Sequence, residues 1–182
     1  MEDQDEKWEG GLRMGKSSGA EKVARGRAGE LRVASELCRR GYCATVTMGN
    51  TPNTDVICAN TSWTKTVFIQ VKTFRAGAPK CQVGKHAGTD FGKQYFWVLA
   101  GLRDEDETAI EDFYIIPSGQ MAQRVSALHR MWLATPGRRG QRHKDNPIRE
   151  VRFGELGNHS RFVYDVREFK NRWDLIEDAL RG

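Results

Sequence analysis

The sequence predicts an α/β domain. Amphipathic stretches with apolar residues at spacings of three and four alternate with short runs rich in β-branched and aromatic residues. Gly, Pro and Asn punctuate the junctions between them. At 182 residues, one such domain buries a core without disulfides or a structural metal.

Residues 1–20 open acidic, with Glu2, Asp3, Asp5, Glu6 and Glu9, and then turn Gly/Ser-rich. They read as a flexible arm ahead of a single domain over 21–182. The first helix is predicted over Glu21–Arg40. Val23, Ala24, Ala28, Leu31, Ala34, Leu37 and Cys38 form its stripe, and Gly41 stops it. Glu30 lies beside the stripe, whereas Glu36 reads as a solvated acid. Lys22, Arg25, Arg27, Arg32, Arg39 and Arg40 make the helix basic. Arg25 and Arg27 begin near Glu30 and are candidates for phosphate contact.

Tyr42–Met48 reads as a strand, and the loop Gly49–Asn53 delivers Asp55 to the next. The runs 54–59 and 66–73 flank the turn residues Asn60-Thr61-Ser62 and read as a hairpin. The polar stretch from Arg75 to Gln94 is long for a loop in a small domain, which points to function or mobility. Within it His86 reads as a surface residue. Tyr95–Ala100 is an apolar strand, expected to be central. The acidic segment Asp104–Glu107 is expected away from any anion-binding face. Asp112–Pro117 is another strand, and Ser118 looks like the N-cap of a helix to Ala134. Met121, Val125, Leu128 and Trp132 form its buried stripe. A strand near Arg161–Val166 and a helix over Arg167–Leu180 close the chain, the helix packing through Phe169, Trp173, Ile176 and Leu180.

Charge narrows the partners. The net charge of +5 and pI near 9.1 favour an anionic partner. Thr135–Arg152 is the most basic stretch: six Lys and Arg stand against Asp145 and Glu150. Punctuated by Gly and Pro, it can follow a sugar-phosphate backbone through Arg138, Arg139, Arg142 and Lys144. His143 has no evident nucleophile to serve. Cys38, Cys43, Cys58 and Cys81 form no CxxC or zinc array and read as reduced thiols. No apolar stretch reaches the roughly 18 residues of a membrane helix, and no signal-peptide pattern appears. The reading is a soluble cytoplasmic protein.

The chemistry concentrates in the hairpin. A hairpin centred on the turn between the two runs places Asp55 nearly opposite Gln70, where side chains on paired strands stand about 5 Å apart. Alternation puts Gln70 and Lys72 on one face and Val67, Ile69 and Val71 on the other. A Gln and a Lys in an apolar strand are costly unless they act. Oxygen ligands suit hard Mg²⁺ or Mn²⁺, which polarises a phosphate and acidifies a water. A lysine beside them can orient the water or offset developing negative charge. The group suits phosphodiester hydrolysis.

These segments resemble the PD-(D/E)XK nuclease superfamily, in which an acidic residue on the first helix precedes a hairpin carrying D…(E/Q)xK. The matching pieces are Gly26-Arg27-Ala28-Gly29-Glu30, Asn53-Thr54-Asp55 and Gln70-Val71-Lys72, spanning about Ala20 to Phe74. The resemblance implies a restriction endonuclease-like core, a mixed central β-sheet flanked by α-helices. It also implies an Mg²⁺- or Mn²⁺-dependent endodeoxyribonuclease. Asp55 would be the central ligand, with Glu30 and Gln70 supporting ligands, the Val71 carbonyl facing the metal and Lys72 the electrostatic catalyst. Gln70 stands where an acid is usual, so the site has one negative charge fewer. Glu30 compensates directly or through a water. DNA as partner follows from the resemblance, and basic charge suits RNA equally. Nucleases that cut both strands often act as homodimers. The alternative is a catalytically inactive nucleic-acid-binding module of the same fold.

Overall fold

The computed structural model describes residues 18–48, 51–103, 112–154 and 161–181. The predicted arm, apart from its last residues, and the acidic segment Asp104–Glu107 lie outside the described residues.

Helix α1 spans Gly19–Arg39, two residues earlier than the apolar stripe suggests. Ser18 and Glu21 explain the shift: each side chain accepts from the other's backbone N–H, a closed capping box. Gly41 ends the helix as predicted, with φ +88°, in the left-handed region that glycine enters freely. Its N–H reaches Cys38 and that of Tyr42 reaches Leu37, which completes a Schellman motif.

Strands β1 (Cys43–Val46), β2 (Val56–Ala59) and β3 (Thr66–Arg75) form an antiparallel meander. The β2–β3 turn is built on Asn60, whose side-chain oxygen accepts from the N–H groups of Thr64 and Lys65. β5 (Tyr95–Leu102) pairs parallel with β3 and antiparallel with β6 (Asp112–Pro117). The sheet is therefore mixed, in the order β1-β2-β3-β5-β6. β3, not β5, is its middle strand, although every residue of β5 is buried.

The two faces of the sheet are covered differently. Val33 and Leu37 of α1 and Ile176 and Leu180 of α3 (Asp174–Leu180) pack on Val67, Ile69, Val71 and Val98. Met121 and Val125 of α2 (Ser118–Ala134) pack on Trp97, Leu99 and Ile116 on the other face. That face also meets a second sheet absent from the sequence reading. It comprises β4 (Lys80–Gln82), β7 (Glu150–Arg152) and β8 (Tyr164–Asp165), in the order β4-β7-β8. The stretch from Arg75 to Gln94 is thus no simple loop: it holds β4 and a 3-10 helix over Lys85–Gly88.

Two further expectations change. Ser118 is the first helical residue of α2 and Pro117 takes the cap position. The buried Ser118 hydroxyl instead accepts from the Phe91 N–H at 2.7 Å, which ties the 3-10 segment's exit to the helix. The closing helix is split into a 3-10 turn at Arg167–Phe169 and the shorter α3. Asn171 breaks it, at φ +54°, because its backbone N–H and side-chain oxygen engage Phe113 of β6. The strand expected near Arg161–Val166 contracts to β8. Phe169, Trp173, Ile176 and Leu180 are buried as expected. Among the described residues no helix is long and apolar enough to cross a membrane.

Candidate active site

The register of the hairpin decides where the polar residues of β3 stand. Val56 pairs with Ile69, so the next position outward sets Asp55 against Gln70. The Asp55 N–H donates to Ile69 at 2.9 Å, and its carbonyl accepts from Thr47 at 2.9 Å. The backbone is thereby held between β1 and β3. The carboxylate Oδ2 accepts from the Val71 N–H at 2.7 Å and from the Gln70 amide nitrogen. Gln70 and Lys72 share parity with Phe74 and face the side of α2 and the second sheet, while Val67, Ile69 and Val71 face α1 and α3.

The loop ahead of Asp55 is pinned by a residue that sequence reasoning assigned only to the core. The Tyr95 hydroxyl donates to the carbonyl of Asn53, which sits in the left-handed region at φ +57°. Burial, reinforced by the nearby Asp55 carboxylate, pushes the Tyr95 hydroxyl's proton affinity up, so it remains a neutral donor. Nothing in the run Tyr95–Ala100 marks one aromatic as a positioning group.

Glu30 is half-buried on α1. Arg27 donates to it at 2.7 Å and to the Thr47 carbonyl at 3.2 Å, so one guanidinium ties α1 to the end of β1. Glu30 lies near enough to raise the proton affinity of Asp55. Burial is the largest cause of that rise, the Val71 N–H and the Lys72 ammonium oppose it, and the net shift is upward. Glu36, expected to be solvated, is instead clasped by Arg39 and Arg40 on the same helix.

Among the described residues no group of three or more His, Cys, Asp and Glu is placed to hold a metal ion. Gln70, an amide, is not one of those residue types. What stands together is the Asp55 and Glu30 carboxylates, the Gln70 carboxamide and the Val71 carbonyl, 3.5 Å from the Gln70 amide nitrogen. Their oxygens are of the kind a hard divalent cation takes, and the two carboxylate charges are set against Lys72 and the Glu30-bound Arg27. The Cys81 thiol near Lys72 is a poor nucleophile: burial pushes its pKa up to about 12.

The basic candidates fall in two places. Arg25 and Arg27 lie on α1, on the helix that carries Glu30. Arg138, Arg139, Arg142 and Lys144 are exposed on the segment between α2 and β7. His86 is exposed on its 3-10 helix. Trp132 corrects the sequence reading. It is only partly buried, lines a cavity, and stacks with His143 at 4.2 Å and His129 at 5.4 Å between ring centroids. The last turn of α2 faces the basic loop, not the sheet.

No protein-family model matches this chain, and no curated protein matches it. Among solved structures, it is similar to the bacterial homing endonuclease I-Ssp6803I, with 15% identity and a TM-score of 0.48. That match covers 86% of this chain and 92% of the other. It is also similar to Hjc, a Holliday junction resolvase from the archaeal hyperthermophile Archaeoglobus fulgidus. There the identity is 12% and the TM-score 0.40, over 77% of this chain and 98% of the other. Likeness at this level carries no functional inference, which rests instead on the site.

Proposed function

We propose that this protein is a metal-dependent nuclease of the PD-(D/E)XK type that hydrolyses DNA phosphodiester bonds. The observation that carries the reading is the hairpin register. It sets Asp55 against Gln70, puts Lys72 on the same face, and leaves Glu30 near enough to raise the proton affinity of Asp55.

Asp55, Glu30, Gln70 and the Val71 carbonyl would hold Mg²⁺ or Mn²⁺, which when bound polarises the scissile phosphate. Lys72 supplies a fixed positive charge on the same face, where negative charge accumulates on the phosphate oxygens. Tyr95 and Arg27 are positioning residues: one fixes the loop before Asp55, the other orients Glu30. Arg25, Arg27, Arg138, Arg139, Arg142 and Lys144 would meet backbone phosphates and set register without reading sequence.

The test is cleavage of plasmid and single-stranded DNA with Mg²⁺ or Mn²⁺ by wild type, Asp55→Ala and Lys72→Ala. Metal-dependent cutting by wild type, lost in both variants, is expected. A second reading has one observation in its favour: the Gln70 amide presents its nitrogen to Asp55. That arrangement satisfies the carboxylate without a cation and suits a binding module that has lost its chemistry. Wild type that cuts nothing but binds DNA in a salt-sensitive way would decide for that module.

A further inference from the structure

A cavity lies beneath the basic loop. It encloses about 610 Å³ between the last turns of α2, the segment 135–149 and β8, within the roughly 300–1,000 Å³ range of small-ligand pockets. Val125, Leu128 and Ile148 give it an apolar floor. Its wall is the stack formed by His129, Trp132 and His143.

The loop is fastened over this floor. Asp145 binds the His129 ring at 2.8 Å and meets Arg149 at 3.5 Å. The Arg149 guanidinium also donates to the carbonyls of Asn146 and Ile148. Glu150, the acid in the cavity lining, is already matched by Lys80 at 2.9 Å, and Asp145 beside the lining residue Asn146 is matched as described. Arg138 at the rim makes no ion pair among the described residues, and Arg161 lies over the Phe162 ring at 4.6 Å. A ligand that fits is flat on one part and anionic on another.

We propose that this cavity takes one unpaired nucleobase of a DNA strand, stacked on the Trp132–His143 rings, with Arg138 and Arg161 meeting the flanking phosphates. This deepens the nucleic-acid reading above and rests on it. A duplex shows only base edges in its grooves, because its base faces are already stacked. An extruded or single-stranded base offers the face that an aromatic wall and a concave site require. Position supports the assignment. Val125, Leu128 and Tyr164 of its lining pack in the cluster on the face of the sheet that carries Gln70 and Lys72, and the cavity residue Glu150 of β7 pairs with Gln82 of β4. A strand crossing the site has a neighbouring place for a base.

The experiment measures fluorescence anisotropy of a labelled 12-nucleotide oligothymidine, the matching duplex and an abasic strand of equal length. All are titrated in EDTA at fixed salt. His143→Ala is expected to weaken oligothymidine binding about fivefold or more, on the scale of one lost base–aromatic stack. Duplex affinity stays within about twofold, and the abasic strand binds wild type and variant alike. Trp132→Phe, which keeps a ring, retains most of the single-strand affinity. Equal loss on duplex and single strand, or no loss on either, overturns the pocket. His143→Ala that cuts duplex DNA normally and binds oligothymidine normally removes the pocket and leaves the nuclease reading standing. Wild type that cuts nothing but shows the expected stacking signature does the reverse.

Discussion

The Gln70 amide donates to the Asp55 carboxylate across the β2–β3 pair, at the position where a second carboxylate would repel it. This contact explains how a half-buried aspartate beside Glu30 is tolerated. The Val71 N–H and, to a smaller degree, the amide partly offset the burial and the like charge that raise its proton affinity. Gln70→Glu therefore exchanges a donor for a charge. The variant should lose thermal stability without metal, because carboxylates would face each other across the pair. It should bind Mn²⁺ roughly tenfold more tightly than wild type, since ligand charge tunes affinity. Melting curves with and without Mn²⁺ test this. A variant that Mn²⁺ stabilises no more than it stabilises wild type would remove position 70 from the metal site.

Lys72 is the residue on which chemistry and binding should separate. It follows Val71 on the strand that fixes Asp55, and its charge lowers the proton affinity of that carboxylate. Lys72→Ala should reduce single-turnover cleavage by about 10²–10³-fold, the scale of losing one fixed electrostatic donor. Duplex affinity in EDTA should be largely kept, because most phosphate contacts lie elsewhere. Retention of full cleavage would falsify its catalytic role.

The hairpin and its register were legible because three signals agree there: β-branched alternation, a turn residue with a local hydrogen-bonding role, and polar residues of one parity. Asn60 closing the turn and Asp55 falling opposite Gln70 follow from those signals alone. Of the second sheet only β8 was legible, as the strand expected near Arg161–Val166. β4, β7 and β8 are two or three residues long, carry charged residues such as Lys80, Glu150 and Arg152, and pair across long separations. No periodicity survives at that length. The split of the closing helix failed for a different reason. Phe169, Trp173 and Ile176 keep helical spacing, yet contacts between Asn171 and Phe113 override the local preference. Trp132 shows the limit of the stripe argument: spacing places it on the buried face but says nothing about where the sheet beneath α2 ends.

Gly29 sets how closely α1 approaches the site. A Cβ at this position would lie 2.1 Å from the Thr73 hydroxyl of β3, and that hydroxyl is buried with no hydrogen-bond partner among the described residues. Gly29→Ala must push α1 away from β3, and it moves the adjacent Glu30 with it. The expected loss is about 1–3 kcal/mol, as for other overpacked cores, with cleavage falling at the same time. Thr73→Ala removes the clashing atom, so the double variant should recover part of both losses. Denaturant unfolding of the four proteins gives the coupling directly. Strict additivity would show that the two residues do not meet.

Glu36 provides the pH test of the α1 contacts. Its half-buried carboxylate accepts from Arg39 at 2.8 Å and Arg40 at 2.9 Å. Arg40 in turn pairs with Glu177 of α3 at 2.9 Å and lies over the Trp173 ring at 5.2 Å. The hydrogen bond from Arg39, with the further pull of Arg40, holds the Glu36 carboxyl below the usual carboxylate range despite its burial. A folded pKa below the unfolded one contributes stability above the unfolded value, and that contribution is lost as pH falls through the folded value. Glu36→Gln should therefore lower Tm by about 1–3 °C at neutral pH, given the modest worth of such pairs. The difference should be full above the unfolded glutamate pKa of about 4.3 and shrink below it. Melting curves of both proteins from neutral pH down through the carboxylate range measure it. A gap that persists unchanged at the acid end would assign the effect to packing against Arg40 and Trp173, not to charge.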